Sequence, residues 1–192
     1  MPKSNQIKNI TAIEILDSRG IPTLSVKVEL ENRIKASAQV PSGTSSGKFE
    51  AFELRDGDKK RYGGKGVLKA VKNVKKIIAS RLKGVNALNQ GLIDFIMTDK
   101  LDRTKNKSRL GANAILGVSK ACSRAAAYSQ RAPLYKYLRE FYNDKGRLKI
   151  HKLKELVGYK FPQPMFNFLN GGAHAESGMN IQEFMFYIDP IS

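Results

Sequence analysis

Acidic residues are scarce in this chain. Of its 192 residues only 17 are aspartate or glutamate against 34 lysines and arginines, a formal charge of +17 with a pI near 10.0. Such a balance attracts polyanions and phosphorylated metabolites, or is carried as a solvated surface. Cysteine is scarcer still: Cys122 alone excludes an internal disulfide and fits a reducing compartment. Long apolar runs are missing, so no transmembrane helix is read from the sequence. The opening residues, Met1 to Gln6, carry no apolar core of a signal peptide. These absences point to a cytoplasmic protein with no membrane partner. No internal repeat or low-complexity tract is present, and 41% hydrophobic with 8% aromatic residues is a globular composition.

What is there begins with alternation. Ile7 to Leu16 reads as a strand, and Asp17-Ser18-Arg19-Gly20-Ile21-Pro22 supplies turn chemistry. Thr23 to Leu30 and Ile34 to Val40 alternate in the same way across Glu31-Asn32-Arg33, which predicts an antiparallel meander in which Val26, Val28 and Leu30 cannot all face water. After Pro41 the run Ser42-Gly43-Thr44-Ser45-Ser46-Gly47-Lys48 is small and polar. It is not a P-loop, because only three residues separate its glycines and Phe49 follows the lysine where serine or threonine is required.

From Lys65 to Lys83 the period becomes helical. Val67, Val71, Val74 and Ile78 form one stripe, with Lys65, Lys69, Lys72 and Lys76 opposite and Gly84 as a C-cap. Between Lys59 and Lys83 there are ten basic residues and no acid. With no aromatic interleaved on the basic face to stack bases, this is read as the wet side of an amphipathic helix. A short helix over about Asn89 to Met97 leads to a polar connection from Asp102 to Ser108. The small residues of Leu110 to Gln130 predict a central packed helix, with Cys122 as a buried structural thiol. Pro133 opens another short helix, from Leu134 to about Tyr142.

Composition changes between Asn143 and Lys160, which divides the chain into a first domain over 1–145, a basic linker over 146–160 and a second region over 161–192. His151 falls in the linker and is given no role. In the second region an apolar run, Phe166-Asn167-Phe168-Leu169, breaks at Asn170-Gly171-Gly172, delivers His174, and is followed by a second run with Gln182 and Glu183 in its middle. A carboxylate inside an apolar strand costs several kcal/mol (order of magnitude) unless it is paired, so these polar groups are expected to face a ligand.

The residues now assembled carry a family likeness. Leu16 to Thr23, Val40 to Gly47, Glu53 to Asp58, Gly64 to Val71, Asn106 to Ser119, Asn170 to Ala175 and Gln182 to Met185 resemble the corresponding blocks of enolase, the phosphopyruvate hydratase of glycolysis, in the same order. The resemblance implies an α+β fold. An amino-terminal capping domain, a three-stranded antiparallel meander followed by helices, precedes the first strands of an incomplete TIM-like barrel. It implies reversible dehydration of 2-phosphoglycerate to phosphoenolpyruvate, a lyase reaction, with two Mg2+ ions per complete site beside the dianionic intermediate. Ser45 matches the loop serine that binds the second magnesium. His174, Gln182 and Glu183 match residues that contact or surround substrate. A homodimer is implied for a full-length chain.

Three departures stand out. Ile21 replaces the usual asparagine, Ser25 stands where many enolases carry a glutamate that pairs subunits, and Thr44-Ser45-Ser46 replaces alanine-serine-threonine. Family members are more than twice as long, and the lysine base, the glutamate acid and the three carboxylates of the first magnesium lie downstream of Ser192. None of the catalytic residues is therefore among these 192, and the chain by itself is expected to be inactive. The competing reading is a non-catalytic capping-domain protein that binds nucleic acid or an acidic partner through its basic surface. A third is half of a two-chain enzyme. Strands near 164–169 and 181–188 would lack neighbours, which predicts poor solubility of the isolated chain.

Overall fold

The alternation of the first forty residues produces a sheet whose two faces differ sharply. Strands β1 (Ile7–Leu16), β2 (Pro22–Leu30) and β3 (Lys35–Gln39) pair antiparallel in that order. Ile10 lies opposite Val28, Ala12 opposite Val26, and Val26 in turn opposite Ala38. These residues, with Leu24, Leu30 and Ala36, are buried on one face. On the other, Glu29 pairs with Lys8 at 3.0 Å and Lys35 at 3.7 Å. The computed structural model describes residues 4–43, 47–144, 162–172 and 175–187, and the chain divides into two units, Met1–Arg147 and Leu148–Ser192. The expected linker 146–160 lies outside the described residues.

In the first unit the apolar face of the sheet is covered by helices. α1 (Leu68–Asn73), a π-helical segment (Val74–Ile78) and α2 (Ala79–Leu82) run on through right-handed helical backbone at both junctions. Val67, Ala70, Val71, Val74, Ile78 and Leu82 are all buried, which includes every residue of the predicted stripe. Gly84, at φ +82°, turns the chain so that its amide reaches the Ile7 carbonyl at 2.8 Å. α3 (Gln90–Phe95) is capped by Asn89, whose side chain accepts from the Leu92 amide at 3.2 Å. It then continues as a π-helical segment through Asp102, where a helix ending near Met97 was expected. α4 (Ala112–Ser129) and α5 (Leu134–Asp144) follow.

α4 is the central packed helix, and its small residues explain how close it comes. A Cβ placed on Gly117 would sit 2.7 Å from a Val26 methyl and 3.1 Å from one on Val40. Ala114, Val118, Ala121 and Ala125 lie on the same side of the helix, all fully buried, as is Cys122. Burial pushes the Cys122 thiol up to about 12, so it is an inert packing group. From the same helix Lys120 Nζ donates to the Gln39 carbonyl at 3.0 Å and Arg124 to that of Ser37 at 2.8 Å. Two cations thus cap the edge strand β3.

The start of α1 has no capping side chain of its own. Two remote carboxylates supply one. Asp56 accepts from the amides of Leu68 (2.9 Å) and Lys69 (2.8 Å), and Glu14, near the end of β1, accepts from that of Val67 at 2.7 Å. Arg61 bonds Glu14 with both guanidinium nitrogens and lies 3.6 Å from Asp56. The Arg61 hydrogen bond is the largest influence on Glu14, ahead of the opposing effect of burial, and its carboxyl is held below the ordinary 4.5. At the far end of the helical layer Asp102 plays a similar part. Burial alone would raise its carboxyl, but the Thr104 hydroxyl and the amides of Leu110 (2.7 Å) and Thr104 (3.0 Å) outweigh it and the net shift is down.

Unit two is a hairpin of β4 (Met165–Asn170) and β5 (Glu183–Tyr187), paired antiparallel. Its apolar side chains are exposed on both faces, among them Phe168 (76%) and Met165 (63%), while Phe166 and Phe186 stack at 5.6 Å. Among the described residues no helix is long and apolar enough to cross a membrane.

Gly117→Ala is expected to lower stability by roughly 1–3 kcal/mol through overpacking, read from urea unfolding of the first unit. Glu14→Gln is expected to cost roughly 1.5–3 kcal/mol. Because the folded-state pKa of Glu14 is depressed, its contribution is present above 4.5 and is lost as pH falls through the folded value. Wild type should therefore lose stability relative to the Gln variant on acidification. The same acid dependence in both proteins would disprove the role.

Candidate active site

Two segments carry the residues expected to act, one in each unit. In the first, the chain leaves β3 through Val40 and Pro41 and reaches Ser42, which is held from several sides. Arg19 donates to the Ser42 carbonyl at 2.8 Å and also grips Asp17. Asp17 in turn accepts from the Ile21 and Arg19 amides, and those bonds, Ile21 first, hold its carboxyl below its ordinary value. Arg55 donates to Ser42 Oγ (2.8 Å), Glu53 (2.7 Å) and the carbonyls of Pro22 (2.5 Å) and Lys65 (2.7 Å). Ser42 Oγ completes the ring by donating to Glu53 at 3.2 Å. A guanidinium with four partners converts a flexible small-residue stretch into a fixed anchor. Beside it opens a cavity of about 720 Å³, lined by Pro41, Gly43, Gly47, Glu50, Phe52 and Asn113 among others.

In the second unit the double glycine shapes the end of the hairpin. The Gly171 amide donates to the Gln182 carbonyl at 2.9 Å and the Gly172 amide to that of Met179 at 2.8 Å. A Cβ at Gly171 would meet the Ile181 carbonyl oxygen at 2.4 Å, so only glycine fits, and Gly172 sits at φ +57°. Ser177 Oγ donates to the Asn170 carbonyl at 3.0 Å, and Asn167 Nδ2 donates to Asn170 Oδ1 at 2.5 Å. Asn170 stands opposite Glu183 in the strand register. Asn170, Gly171 and Gly172 are thereby brought to the same end of the hairpin as Gln182 and Glu183.

Gln182 and Glu183 do not lie in the middle of the second strand, as the sequence suggested. Glu183 opens β5 and is half-buried, and Gln182 precedes it and is exposed. The reason is the turn: the Gln182 carbonyl is taken by Gly171, and regular pairing starts one residue later. Ser45 and His174 lie outside the described residues. Gln182 and Glu183 are thus the two expected site residues the structure brings together.

Comparison with known proteins supplies what geometry alone does not. The family model described as the N-terminal domain of enolase matches residues 7–138, more than two thirds of the chain. The chain belongs to the enolase family. The model described as the C-terminal TIM barrel domain of enolase matches 158–191. "Enolase 1" of Chlorobaculum tepidum is 51% identical over 180 residues, covering 94% of this chain and 38% of that protein. The chain thus spans less than half the length of that enolase.

Within the enolase match fall four anchors to which the sequence pattern assigns no role, namely Arg19, Ser42, Glu53 and Arg55. Their signal is faint. Glu53 and Arg55 alternate with apolar neighbours, but nothing local says that their shared target is a hydroxyl more than ten residues upstream. Gly171→Ala is expected to break the stitching of the hairpin. Hydrogen exchange should then lose protection at Gly171 and across β5 while α4 keeps its own, and unchanged protection of β5 would refute the reading of Gly171.

Proposed function

We propose that this chain carries the capping domain and first barrel strands of an enolase that interconverts 2-phosphoglycerate and phosphoenolpyruvate. The observation that carries the reading is the 51% identity across 94% of the chain. It is supported by a hairpin that gathers Asn170, Gly171, Gly172, Gln182 and Glu183 at one end.

In this reading the reaction removes the proton next to the substrate carboxylate and then expels hydroxide. Glu183 stands near the leaving hydroxide and forms part of its surroundings. Gln182 and His174 contact substrate, with Gln182 placed by the backbone bond from its carbonyl to Gly171. Ser45 offers oxygen to the second magnesium, which suits a hard cation. The ring of Arg19, Arg55, Glu53 and Ser42 holds the backbone that leads to it. Among the described residues no three of histidine, cysteine, aspartate and glutamate converge as a metal site. Two Mg2+ ions, as in the family, would supply the charge that stabilises the intermediate.

The 192-residue chain alone, given 2-phosphoglycerate and magnesium, is expected to form no phosphoenolpyruvate, followed by its ultraviolet absorbance. Supplied with the remainder of an enolase barrel, joined or in trans, it is expected to turn over, and Glu183→Gln, which alters the charge around the leaving hydroxide, should then lower kcat by roughly 10²-fold. Turnover by the chain alone would overturn the assignment of the missing chemistry. No turnover with a folded barrel would overturn the assignment of function.

A further inference from the structure

The helix from Leu68 to Leu82 gives Val71, Val74, Ile78 and Leu82 to the core, and its outer face is rich in lysine beside the exposed Leu68 and Ile77. Lys69, Lys72 and Lys76 follow one another at helical spacings of three and four, about 5–6 Å apart. All three are exposed. The sequence alone reads this row as a solvated surface. Folding adds a second segment to it. Asn73, in the middle of the row, donates from its side chain to the carbonyls of Leu110 (2.9 Å) and Arg109 (3.4 Å), which brings the turn that follows Asp102 against the helix. That turn carries Arg103, Lys107 and Arg109.

Arg103 and Lys107 are held at φ +62° and +63°. Left-handed backbone is the region where glycine or asparagine is favoured and a long side chain is not. The turn therefore places two cations where a neutral residue would fit the backbone better. Among the described residues no salt bridge engages Lys72, Lys76 or Arg109. The Lys69 side chain donates to the neutral Asp56 carbonyl at 2.7 Å, and that of Arg103 to the Lys100 carbonyl at 3.0 Å. Lys107 does feel the buried Asp102.

We propose that this ridge, Lys69, Lys72 and Lys76 with Arg103, Lys107 and Arg109, binds the phosphate backbone of duplex nucleic acid. A duplex strand offers a phosphate about every 3.4 Å of its axis, within reach of cations at these spacings. No aromatic side chain stands in the row to stack an unpaired base, which disfavours a single-stranded partner. A membrane-lying helix turns a continuous apolar face to the lipid, and here the stripe of Val71, Val74, Ile78 and Leu82 is consumed by the core, which leaves only Leu68 and Ile77 exposed.

The test is fluorescence anisotropy of the 192-residue chain with a labelled random-sequence DNA duplex of about 20 base pairs, between about 50 and 200 mM KCl. With about six phosphates neutralised, one per cation of the ridge, affinity should fall roughly 10³-fold over that range. K69Q/K72Q/K76Q/R109Q should flatten the salt slope by roughly 3–4, and K27Q/K35Q/K48Q/K136Q, which removes the same charge elsewhere, should leave it near wild type. R103N/K107N guards against misfolding. Asparagine suits both backbone positions, so thermal stability should hold or rise while the slope falls by about 2. Equal losses in the ridge and control variants, tighter binding to a single strand or to phosphatidylserine vesicles than to duplex, or no binding at the lowest salt would each overturn the proposal.

Discussion

The first unit is built on a constraint of distance: α4 lies so close to the sheet that Gly117 has no room for a Cβ between the Val26 and Val40 methyls. Everything on the contact face of α4 follows from it. A glycine and alanines are what fits where the helix comes closest, and the sheet supplies most of the larger apolar side chains, joined by Val118 from α4. Lys120 and Arg124, one turn apart on the flank, then come near enough to cap the carbonyls of the edge strand. Packing and edge protection are consequences of one approach.

A second layer is placed by charge. Helix α1 begins without a local cap, and its first amides are satisfied by Asp56 and by Glu14 from β1, with Arg61 between them. This knot ties sheet, loop and helix together and fixes which side of the helix faces the core. The lysine row on the outer side is then exposed by default, because the inner side is spent. The same economy recurs at Asp102, whose carboxylate organises the turn that brings Arg109 beside that row.

Much of this is legible in the sequence. The meander can be read because alternation of period two has one solution when one face is buried, and α4 can be read because a run of small residues at helical spacing has no other use in a core. The π-helical continuations are not legible. Nothing in Val74–Ile78 or Ile96–Asp102 distinguishes an extra residue in the turn, so the pattern ends the third helix near Met97 although the chain stays helical to Asp102. The site is legible as motif and less so as geometry. Alternation puts Glu183 inside a strand, whereas the bond between Gly171 and Gln182 delays the strand and leaves Glu183 at its mouth.

Local pattern thus determined the strands, the buried stripe of the first long helix, the inert thiol and the family to which the chain belongs, since each is written in the spacing or order of near neighbours. Only the tertiary structure decided that Arg19, Glu53 and Arg55 converge on Ser42, that Glu14 caps a helix more than fifty residues away, and that two basic segments become one surface. Those pairings join residues far apart in the chain, where no periodicity operates, and they are selected by the need to satisfy each carboxylate, guanidinium and helix-end amide once packing has brought them together.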